Sequence, residues 1–167
     1  AWGVHYLEHE RIDDVYERGE EVAAYQFDRR QSEIFFGFSE GWNEGISKRW
    51  WFGVHADKQD YAEVASEPAP AELPPARKLN YPFLRYDFIE EDYIQVSNLN
   101  QMHRIEDFNL GRSWSLRLGL SDTVFGSDGD RLVYGLTLRN AWQLNEKTLS
   151  QLETQINGYW RYKDNQS

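Results

Sequence analysis

Apolar and polar residues alternate along this chain with a period of two, over unusually long stretches. From 107 to 121 the even positions are Phe108, Leu110, Arg112, Trp114, Leu116, Leu118 and Leu120, while the odd positions carry no apolar side chain. A helix would scatter the even set around its circumference, so the segment reads as a strand with one apolar face. The pattern recurs in Leu132, Tyr134, Leu136, Leu138, Trp142 and Leu144, and again in Leu152, Ile156, Trp160 and Tyr162. It is present in Trp50, Phe52, Val54 and Ala56, and at the opening in Trp2, Val4 and Tyr6.

Two segments change phase. In 21–40 the apolar positions switch between Phe27 and Ile34, around Asp28-Arg29-Arg30-Gln31; in 81–99 they switch around Glu90-Glu91-Asp92. No Gly, Asn or Pro marks either place as a turn, so a bulge within one long strand is expected at each. The reading is all-β: an antiparallel up-and-down meander of about seven long strands over 1–13, 21–40, 47–62, 80–98, 106–122, 131–144 and 148–163. Its connections alternate in kind. Long polar loops are expected at 14–20, 63–79 and 122–130, with short turns at 41–46, 100–105 and 145–147. The 63–79 stretch, Pro-rich, reads as a mobile loop within one unit rather than a linker between domains.

Strand length separates two architectures. Soluble strands usually run about 5–6 residues, whereas a tilted strand needs about 9–11 to cross a bilayer. Strict alternation here persists longer than that, which points to part of a transmembrane β-barrel. Composition sharpens the picture. Seven Trp, ten Tyr and nine Phe in a polar chain call for exposed rings, and interfacial girdles are one place for them. The net charge of −10 argues against a nucleic-acid surface. With no cysteine, a disulfide framework and thiolate metal sites are excluded. The chain opens on Ala1-Trp2-Gly3-Val4 without a leader, and both ends read as strand, so 1–167 is expected to be a single segment cut from a larger barrel.

Tyr81-Pro82-Phe83 opens one long strand, Glu90-Glu91-Asp92-Tyr93 lies inside it and Asn98-Leu99 closes it. Arg104-Ile105-Glu106-Asp107-Phe108-Asn109-Leu110-Gly111 opens the next. Over about residues 20–125 this resembles the barrel region of the bacterial surface antigen family of outer-membrane β-barrels. The barrel-assembly proteins and the two-partner secretion transporters belong to the same superfamily. The resemblance rests most on Glu106, Asp107, Phe108, Leu110 and Gly111. It implies a barrel of more than seven strands, a bacterial (Gram-negative) outer-membrane location, and a part in outer-membrane protein insertion or polypeptide secretion. The Arg-Gly-aromatic lid motif of the transporters is not in this chain.

Several residue groups invite chemistry, and a plainer reading outweighs each. Gly37-Phe38-Ser39-Glu40-Gly41 matches the nucleophile elbow, but an elbow needs a following helix and a strand follows here, so the glycines read as a hairpin turn. His5 and His9 share a strand face, yet zinc or copper needs at least a third ligand and His55 is the only other histidine on a clear polar face, so the pair reads as lumen-facing polar residues. Asp128-Gly129-Asp130 lacks the spaced acids of a calcium loop and reads as a turn. Glu90-Glu91-Asp92 reads as an acidic patch at a bulge. Asp13-Asp14 and Glu20-Glu21 flank an acidic loop suited to divalent cations bridging to lipopolysaccharide. Trp50 and Trp51 point to opposite faces and do not form one sugar platform.

The chain is therefore expected to be non-enzymatic, with no catalytic, cofactor or metal site. It forms a barrel wall whose partners are the lipid bilayer, lipopolysaccharide, the remaining strands of its own barrel and a polypeptide substrate, with no nucleic acid. Arg117, Arg139, Glu153 and Arg161 are expected to face the lumen, and Leu116, Leu118, Leu136, Leu138 and Ile156 the lipid. Two alternatives belong to other classes: a secreted all-β carbohydrate-binding module, and a barrel-embedded lipid hydrolase using Ser39. The sheet should be open and curved, since seven antiparallel strands do not close evenly. The short turn at 145–147 should place Arg139 opposite Glu153, Leu136 opposite Ile156 and Tyr134 over Gly158.

Overall fold

The computed structural model describes residues 1–64, 70, 72–97, 105–145 and 148–162. They form nine strands: β1 Trp2–Glu17, β2 Glu20–Asn43, β3 Ile46–Glu63, β4 Arg77–Glu90, β5 Tyr93–Ser97, β6 Ile105–Asn109, β7 Ser113–Ser121, β8 Arg131–Asn145 and β9 Thr148–Arg161. Seven make one antiparallel sheet in the order β1-β2-β3-β4-β7-β8-β9, curled into a half-barrel. The sheet is open, with β1 and β9 at its edges. The only helical element among the described residues is one 3₁₀ turn, Thr123–Phe125.

The all-β meander agrees with the alternation, but several details differ. Strands four and five of the sequence reading are each divided in two, and β5 pairs with β6 as a separate hairpin. The register does not change across the division: Ile89 faces Ser113 before it and Tyr93 faces Asn109 after it. Glu90-Glu91-Asp92 is thus a break in the ladder without an extra residue, not a bulge. Nor is there a bulge at Asp28–Gln31, where β2 pairs without interruption on both sides. The apolar positions change face there because the inner face gains an aromatic group: Phe27 lies beside His9 and Tyr61, with Arg11 over its ring. The register shifts instead fall at Val15/Tyr16, Ser39/Trp42 and Gln143/Asn145.

The expected long loop at 14–20 is absent. β1 and β2 extend to within two residues of each other, and Arg18-Gly19 turns with φ of 54° and 89°. Two consecutive positive φ values are the signature of the type I′ hairpin, whose twist matches that of the strands. Glu44-Gly45 repeats it at 50° and 80°. Sequence reading missed the first turn because Arg is a poor αL residue and only Gly19 signals it. Much of the 63–79 loop (65–69 and 71), the Asn98–Arg104 connection and Glu146-Lys147 lie outside the described residues.

Register fixes the faces. The rung Phe36–Phe52–Leu84–Leu118–Tyr134–Gly158 runs across β2, β3, β4, β7, β8 and β9, and all its members are even-numbered. The odd-numbered residues occupy the other face, and that face is concave. Glu33 of β2 and Arg117 of β7 meet there at 2.7 Å although β3 and β4 lie between them. A flat sheet would hold those two strands about 14 Å apart, three spacings of about 4.8 Å. The buried residues Leu79, Tyr81 and Phe83 are all odd, and Phe35 and Val133 pack on them.

Candidate functional site

The concave face carries a charged network set on aromatic rings. Glu33 accepts from Arg117 at 2.7 Å and contacts His55 Nδ1 at 2.9 Å. Arg117 lies over the Phe83 ring, 3.7 Å from its centroid, and its Nη2 reaches the Tyr81 hydroxyl at 3.4 Å. The Phe83 ring reaches this place because residue 53 on the neighbouring strand is glycine: a Cβ there would come within 2.6 Å of the ring and 2.5 Å of the Ile34 carbonyl. Two further clusters flank the first. Arg29 grips Asp57 with Nε at 3.0 Å and Nη2 at 2.8 Å. Asp87 receives the Arg85 fork and the Trp51 indole at 2.7 Å. Bidentate arginine–carboxylate pairs fix orientation as well as charge.

The convex face is apolar over its middle. Ile34 is 57% exposed, Phe36 57%, Val54 55% and Ile156 52%, and neighbouring strands add Phe52, Leu84, Leu116, Leu118, Leu120, Leu132 and Leu138. Such residues on six adjoining strands make one apolar band far beyond the small patches of ordinary soluble surfaces. Rings gather along its lower margin, where Trp50 lies 4.5 Å from Tyr86 and Tyr86 lies 5.2 Å from Trp114. Sequence reading missed this trio, because bringing residues 50, 86 and 114 together needs the registers of three strand pairs. Above the band the same face turns charged: Arg30 pairs with Glu8 and Asp28, and Lys58 with Asp60.

The residues carrying the family resemblance form the break in the ladder. Glu106, Asp107 and Phe108 lie in β6, and Leu110 and Gly111 in the break itself. Asn109 holds it together: its Oδ1 accepts from the Asp92 and Gly111 N–H groups, and its Nδ2 donates to the Glu90 carbonyl. A Cβ at Gly111 would fall 2.0 Å from that carbonyl oxygen, so only glycine fits. Backbone bonds from Glu90 N to Arg112 O and from Leu110 N to Asp92 O continue the pairing across it.

At the opposite end, the 122–130 loop lies along the start of β4. Asp128 and Ser127 pair with the Lys78 and Asn80 backbone, and Asp128 also pairs with Arg131. Partial burial pushes the Asp128 carboxyl up, but Arg131 and the Lys78 N–H outweigh it and hold the group below its ordinary value. Asp130 accepts from the Thr123 N–H. The two aspartates thus serve the loop itself, and no group of three metal-ligating side chains occurs among the described residues.

Other sequence candidates are placed as follows. Gly37–Gly41 lies within β2, not in a hairpin turn; Gly41, at φ 98°, sits in the register shift. The Ser39 hydroxyl donates to the Lys48 carbonyl and accepts from the Gly41 N–H, a backbone role. His5 and His9 lie on edge strand β1, whereas His55 sits with Glu33 in the interior. Arg117, Arg139, Glu153 and Arg161 all occupy odd positions of paired strands. Arg139 is opposed to Glu153, Leu136 to Ile156 and Tyr134 to Gly158, the expected pairings, although the turn itself closes with Asn145 opposite Thr148 after a register shift. The expected charge pair is nevertheless not made, since Arg139 donates to Gln151 at 2.9 Å.

Comparisons with known protein families, with curated proteins and with solved structures give no match to this chain.

Proposed function

We propose that this chain is a segment of the wall of a transmembrane β-barrel in a bacterial outer membrane, with its even-numbered face against lipid and its odd-numbered face toward a polar lumen. The observation that carries the reading is the continuous exposed apolar band on the convex side of the sheet. Water penalises such a surface at roughly 25 cal/mol per Å², whereas lipid does not. Ion pairs on the concave side supply the lining expected of a barrel interior. The resemblance over about residues 20–125 to the surface antigen family extends the proposal to protein insertion or polypeptide secretion, with lipopolysaccharide at the charged upper margin.

Tryptophan quenching by brominated lipid tests the wall. The full chain, folded into vesicles, is expected to lose fluorescence to lipids brominated along the acyl chain, because Trp50 and Trp114 lie on the convex face. A chain that stays in the aqueous phase, or whose emission ignores bromine, contradicts the proposal. The Trp50–Tyr86–Trp114 ring cluster also favours a second reading, a sugar-stacking module. Polysaccharide binding by a detergent-free monomer would select it.

A further inference from the structure

From an open groove at the lower margin of the convex face, we infer that the chain carries a specific site for a zwitterionic glycerophospholipid with a phosphoethanolamine headgroup. This rests on the reading of that face as lipid-facing.

The groove measures about 430 Å³ and its two ends differ in chemistry. One end is apolar, floored by Leu84, Leu116 and Leu118, which project from two adjacent strands. The other carries one cation and one anion, Lys48 and Glu40; Trp50 and Tyr86 lie one rung further in, and Trp114 shares the rung of Lys48 across β4. Glu40 is fixed in place because its Oε1 accepts the Trp50 indole N–H at 2.9 Å. A carboxylate accepts through two oxygens, and the indole occupies one.

That sequence of groups matches one molecule in order. An acyl chain lies along the leucines, where the surrounding band already requires hydrocarbon. The lipid phosphate meets the Lys48 ammonium. The headgroup ammonium donates to Glu40 beside Trp50, the ring that holds this carboxylate and whose face attracts cations. An anionic phosphoglycerol headgroup would place its hydroxyls beside Glu40 and leave the carboxylate without a cation.

The test uses the full chain folded into nanodiscs holding equal amounts of phosphatidylethanolamine and phosphatidylglycerol. Lipid retained after release is read by native mass spectrometry. One phosphatidylethanolamine is expected to remain, enriched about tenfold over phosphatidylglycerol, the scale of one charge-assisted hydrogen bond. Lys48→Gln should lower retention of both lipids, and Glu40→Gln should abolish the preference between them. Lys58→Gln, at the opposite margin, should leave both quantities unchanged. Retained lipid that mirrors the nanodisc composition, or the two groove variants behaving as the parent chain, overturns the site while leaving the wall intact. Failure to insert, read independently by brominated-lipid quenching, overturns the wall and the site together.

Discussion

The concave face is dense over β2, β3, β4 and β7 and sparse over β9 and the Arg139 stretch of β8, although Arg131 and Ala141 of β8 are buried. In the dense region Glu33, His55, Arg117, Tyr81 and Phe83 converge from four strands, and Asp57 and Asp87 are buried, each paired with a partly exposed arginine. In the sparse region Arg139, Gln151, Glu153, Gln155 and Arg161 are all exposed or partly so. Around these residues both regions pair in unbroken register and show the same alternation of residue types. Curvature separates them. Glu33 and Arg117 are never register neighbours, yet they pair because bending carries β2 toward β7. Arg139 and Glu153 are direct neighbours, yet Arg139 donates to Gln151. Near the open edge, opposed charges remain hydrated and gain little from one geometry over another.

The sharpest way to break this contrast is to remove one arginine from each region. Arg117→Ala should destabilise the chain by about 2–3 kcal/mol, because it leaves Glu33 partly buried without its strongest partner. Arg139→Ala should change stability by less than about 0.5 kcal/mol. Urea midpoints in detergent micelles read both, and equal losses would remove the distinction between the regions.

A second pair of substitutions sharpens the comparison through packing. Gly53→Ala drives a methyl into the Phe83 ring and the Ile34 carbonyl, neither of which can yield freely, so a loss of about 1–3 kcal/mol is expected. Gly135→Ala meets Asn157 Oδ1 at 2.8 Å, the far end of a side chain near the open edge. That side chain can rotate, and the cost should stay below about 1 kcal/mol. The same unfolding measurement would reverse the argument if Gly135→Ala were the more damaging change.

The smallest effect concerns acid. The Asp128 carboxyl is held below its ordinary value by Arg131 and the Lys78 N–H, against the opposing effect of burial. A depressed carboxylate contributes stability above its unfolded pKa and loses that contribution as pH falls through its folded pKa. Anchoring of the 122–130 loop should therefore weaken on acidification. Amide exchange at Asn80 and Asp128 reports it, and Asp128→Asn should flatten the response. Unchanged acid sensitivity in that variant would assign the loss to another group.

These contrasts separate what alternation could reveal from what it could not. Parity along β7, β8 and β9 gave the faces outright, because a two-residue period ties each side chain to one side of the sheet. The Leu136–Ile156 and Tyr134–Gly158 pairings were legible in register, although an irregularity between Gln143 and Asn145 separates them from the turn. Arg18-Gly19 was hidden because charged residues flank it and read as a loop. The apparent bulge at Asp28–Gln31 arose from assuming a single apolar face, whereas β2 is apolar outside at Ile34 and inside at Phe27. The Glu33–Arg117 pair and the Trp50–Tyr86–Trp114 cluster were invisible, since both depend on how several strands align or bend together.

The most direct test of a lipid-facing even face is a spin-label scan along β7 and β8 of the chain folded into vesicles. The sequence has no cysteine, so each introduced cysteine is a unique attachment point. Collision with oxygen should peak at Leu116, Leu118, Leu136 and Leu138, and collision with a water-soluble nickel chelate at Arg117 and Thr137, alternating with a period of two. Even positions shielded from both reagents, as beneath a second sheet, or open to the nickel chelate would contradict the account.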